Sequence, residues 1–310
     1  MRSVCLAILN YNGKKHLEYL LPMAIVVANK YPGKCSVLVL DNQSSSDDVK
    51  WIKLNYPSVE VIISHQNEFL FSYNWLALQR DEEVLVLLNN DLRLHPNFLI
   101  PLLTHLESPD VFSVGACSYN WEGNAFTSGP SKLTEKNGFY DWSFDLSNQK
   151  CCYTFFTSGG FMAVNRVKFI KLGGFNTAFY PAYHEDVELC FRAWRRGWRC
   201  IYEPRSIVWH RENASWSESP LSRSNRLHIR NALLFQWAFL PKSLSPWRMK
   251  WSLLKLMIAG CLKFDFTWIS QSCCAAISCI KLKNQKINQR ITMQELNQIK
   301  TTIAQPVHII

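Results

Sequence analysis

Val84-Leu85-Val86-Leu87-Leu88-Asn89-Asn90-Asp91 decides how the rest of the chain is read. An unbroken apolar run ends abruptly in two amides and a carboxylate. Continuous apolar runs of this length, rich in branched side chains, mark strands buried on both faces, as in parallel sheets covered by helices. Working outward, residues 4–9, 36–40 and 59–63 repeat the apolar pattern, with helically spaced segments at 14–30 and 46–55 between them. The alternation predicts an α/β fold. Each strand ends in a polar cluster: Asn10-Tyr11-Asn12, Asp41-Asn42-Gln43, Ser64-His65-Gln66-Asn67 and Asn89-Asn90-Asp91. Asn and Asp are ordinary turn residues, but ligands of open α/β sheets bind beyond the carboxyl ends of the strands. Four such clusters in register predict one shared crevice. A carboxylate held at a strand end, as Asp91 would be, suits Mg2+ or Mn2+, which take oxygen ligands and neutralise a bound diphosphate.

The composition frames this reading. With 310 residues, 48% of them hydrophobic, the chain can bury one sizeable core and a smaller appended unit. Eleven cysteines show no paired zinc-finger spacing, and Cys151-Cys152 and Cys273-Cys274 are adjacent pairs. Reduced cysteines acting as small core residues are expected. Residues 1–10 enter a strand-like segment with no apolar signal region or cleavage site, so a cytoplasmic protein is expected. The net charge of +10 is uneven: residues 221–290 hold twelve Lys/Arg against Asp265 alone, and the remainder is close to neutral. Such a region calls for an anionic partner or a solvated surface.

Residues 111–153 mix Trp, Asn and Gly irregularly and read as strands and long loops, a place for acceptor recognition. A short helix over 165–172 is ended by Gly173-Gly174. A second begins near Glu185, with Val187, Cys190, Phe191, Trp194 and Trp198 on one face and Gly197 marking its end. His184-Glu185-Asp186-Val187-Glu188 puts three carboxylates at that helix start. The helix dipole accounts for one or two of them and favours their ionised form; a carboxylate beside a sugar acceptor can also take the hydroxyl proton. His210 follows a strand-like run at 206–209. A single histidine is more often structural, but neutral imidazole is also a common metal ligand. Asn213, Ser215 and Trp216 add donors and an aromatic face. Arg223, Arg226 and Arg230 share one helix face, to bind phosphate or to be solvated. In the tail, basic residues mixed with Trp and Leu suit either an anionic membrane surface or a packed helical subdomain with a solvated basic face. The longest apolar stretch, 264–280, is marginal in length for spanning a bilayer. No recognised nucleic-acid-binding motif accompanies the basic tail, and Leu9-Asn10-Tyr11-Asn12-Gly13 is not a dinucleotide-binding GxGxxG.

These residues together resemble glycosyltransferase family 2, the inverting GT-A enzymes, and its rhamnosyltransferase-like and galactofuranosyltransferase-like members in particular. The resemblance is carried by Ile8-Leu9-Asn10-Tyr11-Asn12-Gly13, Val39-Leu40-Asp41-Asn42-Gln43-Ser44-Ser45, Leu88-Asn89-Asn90-Asp91 and Gly159-Gly160-Phe161-Met162-Ala163-Val164. It continues from Leu172-Gly173-Gly174-Phe175 through His184-Glu185-Asp186-Val187-Glu188 to Gly197-Trp198, Pro204 and His210. It covers roughly the first 215 residues and implies a GT-A fold, a Rossmann-like mixed sheet flanked by helices, over 1–218, with a basic helical extension over 219–310. It implies Asp186 as catalytic base with Glu185 beside it, and Asp91 and His210 as ligands of Mg2+ or Mn2+. Asp41 would contact the base or ribose, in a nucleotide-sugar site that also takes Asn10, Asn12, Asn67, Asn89, Asn90, Gly160, Ser215, Trp216 and Arg223. The implied function is inverting transfer from a nucleotide diphosphate sugar, dTDP-rhamnose or a UDP-sugar, to a glycan or lipid-linked acceptor hydroxyl in cell-surface polysaccharide synthesis. The implied location is the inner face of an anionic membrane, bound peripherally and without nucleic acid. The alternative is a non-catalytic nucleotide- or glycan-binding protein on the same scaffold. Two departures stand out: Asn67 to Asn74 is bulkier than the Gly-rich stretch of many relatives, and Asn89-Asn90-Asp91 carries a single carboxylate.

Overall fold

The computed structural model describes residues 1–136, 138–211, 221–241, 246–263, 265–284 and 291–307. The first part of the chain runs β1 (Val4–Asn10), α1 (Lys14–Lys30), β2 (Cys35–Asp41), α2 (Asp48–Asn55), β3 (Glu60–Ile63), α3 (Ser72–Leu78), β4 (Val84–Asn89), β5 (Leu92–Leu94) and α4 (Leu99–Leu106). The middle holds β6 (Val111–Asn120), β7 (Phe126–Ser128), β8 (Ser131–Lys136), β9 (Phe139–Phe144), β10 (Cys152–Tyr153), β11 (Phe161–Asn165), α5 (Arg166–Leu172), α6 (Glu185–Arg195) and β12 (Arg199–His210). Four helices follow: α7 (Leu221–Phe239), α8 (Pro246–Leu262), α9 (Thr267–Asn284) and α10 (Met293–Thr302).

Among the described residues, ten strands form one sheet in the order β10-β12-β6-β11-β4-β1-β2-β3, with β5 on β12 and β7 on β6; β8 and β9 make a separate hairpin. The alternating apolar runs behave as read: β3, β2, β1 and β4 are parallel. The sheet as a whole is mixed, because β11 runs antiparallel between β4 and β6. That reversal matters for the site. It brings the start of β11, rather than its end, to the edge where β1, β2 and β4 finish.

Period-two alternation splits β1 between two cores. Val4, Leu6 and Ile8 face Leu17, Leu20, Leu21 and Ala24 of α1 and Leu102 and Leu106 of α4, while Cys5 and Ala7 face the opposite layer of α3, α6 and α7. Helix α7 enters that second core directly: Phe235 lies 5.2 Å from Phe191, and Phe239 stacks on Phe179 at 6.2 Å. The end of the chain returns to the body, where Leu296 and Ile299 of α10 are buried in the same core. Beyond α10, Tyr153 donates to the Gln305 carbonyl at 3.0 Å and Ala304 to the Tyr153 carbonyl at 2.8 Å. Helix α6 stops at Arg195 and Gly197 takes a left-handed φ of 74°, ending the helix as read, so Trp198 lies beyond it rather than on its face. Trp198 still packs against the second core from beyond the helix end, beneath the cations of Lys168 and Arg196. All eleven cysteines are free.

Candidate functional site

The strand ends are joined by amide side chains. Parallel register sets Asn10 beside Asp41 and Leu9 beside Asn89. Fully buried Asn10 then donates from Nδ2 to Asp41 Oδ2 at 3.0 Å and Asp48 Oδ2 at 2.9 Å, and its Oδ1 accepts from Asn90 Nδ2 at 2.8 Å. The Gly13 N–H adds a 2.8 Å bond to Asp48, and the Ser44 N–H and hydroxyl bond Asp41 at 2.8 and 2.6 Å. Two buried carboxylates are thereby satisfied by fixed donors, as burial of charge demands. Asn12 caps the neighbouring loop, its Oδ1 accepting from the Ser45 N–H at 2.9 Å. Asn67 accepts from the Phe69 N–H at 3.1 Å, and so shapes the segment after β3. Close approach explains two glycines. A Cβ on Gly13 would fall 1.9 Å from Asn90 Nδ2, and one on Gly160 would fall 2.6 Å from Asn89 Nδ2. Asp41, Gln43, Ser44, Ser46, Lys50 and Lys53 border a cavity of about 510 Å3 beside this network.

Asp91 and His210 meet at the next position along the edge. Antiparallel pairing of β5 with β12 sets His210 beside Leu92, and the Arg211 N–H donates to the Asp91 carbonyl at 3.0 Å. His210 Nε2 lies 3.2 Å from Asp91 Oδ1, yet the pair is not aligned for a hydrogen bond, and Asp91 Oδ1 is buried without a hydrogen-bond partner. A buried acceptor left unmade costs about 1–3 kcal/mol. A divalent cation would satisfy it, and one carboxylate oxygen with one imidazole nitrogen is a donor set Mn2+ or Mg2+ accepts. The residues fit such an ion. Two neighbours escaped the sequence reading. Burial lowers the His16 pKa while the Asp91 charge opposes that shift, and the Arg211 guanidinium lies 4.4 Å over the Trp121 ring. The adjacency of Arg211 to His210 was the one available signal. A different grouping, His105, Cys151 and Glu203, has donor atoms within 4.8 Å of one another. It reads as a closed ion network: His105 Nε2 is 2.6 Å from Glu203, and Arg205 bonds the same carboxylate at 2.9 and 2.7 Å. Burial opposes ionisation of Glu203, but the bonds from Arg205 and His105 prevail and hold its pKa at about 2.

On the other side of the crevice, His184 takes a left-handed φ of 70° and starts α6 without capping it through its side chain. Asp186 Oδ2 accepts from the Gly159 N–H at 3.1 Å and Oδ1 from the Val187 N–H at 2.8 Å. Gly159 thus touches Asp186 while Gly160 abuts Asn89, so one dipeptide at the start of β11 spans both sides of the site. The helix dipole favours ionised acids here, but desolvation outweighs it. Burial raises the Asp186 pKa, and burial with the adjacent Asp186 charge pushes Glu185 up to about 8. Glu185 Oε2 and His184 Nδ1 are buried without hydrogen-bond partners. Glu188, the third acid of the cluster, is structural: fully buried, it pairs with Arg192 at 2.8 and 2.7 Å.

The loop leading into α6 is held from α7. Buried Asn231 Nδ2 donates to the carbonyls of Phe179, Ala182 and Tyr183 at 3.0, 2.8 and 2.7 Å. Arg230 is half-buried and donates to the carbonyls of Ala178 at 2.7 Å and Tyr180 at 3.1 Å. Arg223 lies in the first turn of α7, and Ser215 and Trp216 lie outside the described residues.

The chain belongs to the family described as Glycosyltransferase like family 2, which it matches over residues 2–230. No curated protein matches it. Its fold is that of GT-A glycosyltransferases. It is similar to GalNAc-T7 solved with UDP, GalNAc and Mn2+, at 15% identity and a TM-score of 0.60, covering 78% of this chain and 49% of that one. It is likewise similar to the mannosyltransferase PcManGT of Pyrobaculum calidifontis in complex with GDP-Man and Mn2+, at 15% identity and a TM-score of 0.55, covering 97% and 79%. A third similar structure is S. aureus TarS, at 11% identity and a TM-score of 0.53, covering 75% and 39%. The chain spans about half the length of the first of these, 49%.

Proposed function

We propose that the protein transfers a sugar, with inversion, from a nucleotide diphosphate donor to an acceptor hydroxyl. The observation that carries this is the pair of sites on the two sides of the crevice: unpartnered Asp91 Oδ1 beside His210 on one, and on the other the desolvated Glu185–Asp186 pair, in which Glu185 Oε2 has no partner and Asp186 is held by two backbone N–H groups. Asp186 takes the hydroxyl proton as the acceptor oxygen bonds to the anomeric carbon and the bond to the diphosphate breaks; a raised pKa makes it a stronger base. Asp91 and His210 would hold a divalent cation, which neutralises charge on the departing diphosphate. The complexes of similar proteins with UDP or GDP-Man and Mn2+ support a nucleotide donor and such an ion. The groove bordered by Asp41, Gln43 and Lys50 takes the nucleoside, with dTDP-rhamnose or a UDP-sugar as donor. The acceptor is a glycan or lipid-linked saccharide of cell-surface polysaccharide synthesis. Titration calorimetry with dTDP, UDP and GDP, with and without Mn2+, tests the reading. Metal-dependent binding that Asp91→Asn weakens at least tenfold is expected, and metal-independent binding of equal strength in both proteins would overturn it.

An anionic membrane surface is the favoured location. No helix among the described residues is long and apolar enough to cross a bilayer. Helix α8 instead exposes Trp247, Trp251, Leu254, Ile258 and Leu262 along one face, with exposed Arg248, Lys250 and Lys255 nearby. An apolar stripe flanked by cations and free of acids is the pattern of an interfacial helix. Flotation with phosphatidylserine vesicles, lost at high salt and absent with neutral vesicles, is the expected outcome.

A further inference from the structure

A cavity of about 740 Å3 lies between the β8–β9 hairpin and the C-terminal helices. Its walls include Tyr140, Asp141 and Trp142 from β9, His228 from α7, Lys255 from α8, Trp268 from α9 and His184, which precedes the proposed base Asp186 by two residues. Two of these side chains carry buried nitrogens with no hydrogen-bond partner, Trp142 Nε1 and His184 Nδ1. His184 is itself more than nine-tenths buried, and burial lowers its pKa to about 3, so its ring is neutral and can accept as well as donate. Around those polar atoms the lining is aromatic. The His228 ring is fixed by stacking on Tyr183 at 3.7 Å, and the Trp142 ring by an edge contact with Phe156 at 4.8 Å.

Flat rings with a few convergent polar groups suit a molecule with apolar C–H faces and a rim of hydroxyls. A purely apolar ligand would leave Trp142 Nε1 and His184 Nδ1 unpaired, at about 1–3 kcal/mol each. A saccharide offers both kinds of surface. We propose that this cavity binds a saccharide, the acceptor of the transfer, with a sugar face against Trp142 or Trp268 and hydroxyls on Trp142 Nε1, His184 Nδ1 and Lys255. The inference rests on the proposed transferase reading and deepens it. The walls supplied by Ser252, Lys255, Leu256 and Trp268 lie beyond residue 230, outside the span matched to the family, so this chain's own C-terminal helices complete the subsite.

The test is saturation-transfer NMR on the full chain with methyl glycosides of glucose, galactose, mannose, rhamnose and N-acetylglucosamine. At least one is expected to bind saturably. Trp142→Phe, which removes the N–H, and Lys255→Ala, at an exposed helix position that folding tolerates, are each expected to weaken it about threefold to tenfold. Failure of every glycoside to bind, or equal affinity in the parent and Lys255→Ala, overturns the proposal. Nucleotide diphosphate binding is measured on the same samples. Glycoside binding without nucleotide binding would sink the donor reading alone, and nucleotide binding without glycoside binding would sink the saccharide subsite alone.

Discussion

Two regions of the crevice are built on opposite terms. At the ends of β1 and β2, Asn10 gathers Asp41, Asp48 and Asn90 into a network in which the buried amide and carboxylates find partners within 3.0 Å; Asp91 Oδ1, outside that network, has none. At the start of α6 and beside the β8–β9 hairpin, Glu185 Oε2, His184 Nδ1 and Trp142 Nε1 are buried with none. Both sides also depend on a buried asparagine, but Asn10 ties side chains together whereas Asn231 ties down backbone carbonyls of a loop. A closed network holds its geometry before any ligand arrives. Unfilled polar atoms raise the energy of the empty site and leave that free energy for a substrate to recover.

The strongest way to break this contrast is Asp186→Asn. Turnover is expected to fall about a hundredfold to ten-thousandfold with nucleotide affinity retained; unchanged turnover would sink the assignment of the base. Asn10→Ala attacks the closed side. It leaves two buried carboxylates short of a donor, so urea unfolding should show a loss of about 2–4 kcal/mol together with weaker nucleotide binding. Asn231→Ala should cost less, about 1–3 kcal/mol, and should lower kcat while leaving donor affinity in place. An equal loss of donor affinity would show that the two sides are not independent. The smallest effect tests whether the open side is strained. Folded Glu185 keeps its proton up to about pH 8, while an unfolded glutamate gives it up near 4.3. Across that window the folded state binds more protons, so stability falls as pH rises. Glu185→Gln is therefore expected to melt about 2–4 °C higher than the parent at pH 8 and at the same temperature at pH 4; the same difference at both values would remove the titration argument.

Much of the closed side was legible in the sequence. Unbroken apolar strands followed by Asn or Asp fix both the layer and the edge, and β1, β2 and β4 end where those clusters stand. The direction of β11 was not legible, since Phe161 to Asn165 has the same pattern read either way. Its reversal is what delivers Gly159 to Asp186. Glu188 could not be separated from Glu185 and Asp186 by position in the helix; only burial against Arg192 distinguishes it. Asn231 looked like an ordinary residue of an amphipathic helix, because its partners lie about fifty positions earlier. The cavity beside His184 was invisible for the same reason: its walls come from hairpin and helices far apart in the chain.

The glycines pressed against asparagine amides have a consequence for mutational tolerance. Any side chain at Gly13 or Gly160 displaces the amide of Asn90 or Asn89, so a saturation scan scored on growth or product would rank both with Asp91. Chemistry is not the reason, for neither glycine offers a side chain to a substrate. Scoring the same library for soluble expression as well would separate them: residues that act on the reaction should lose product alone, and those that only make room should lose both.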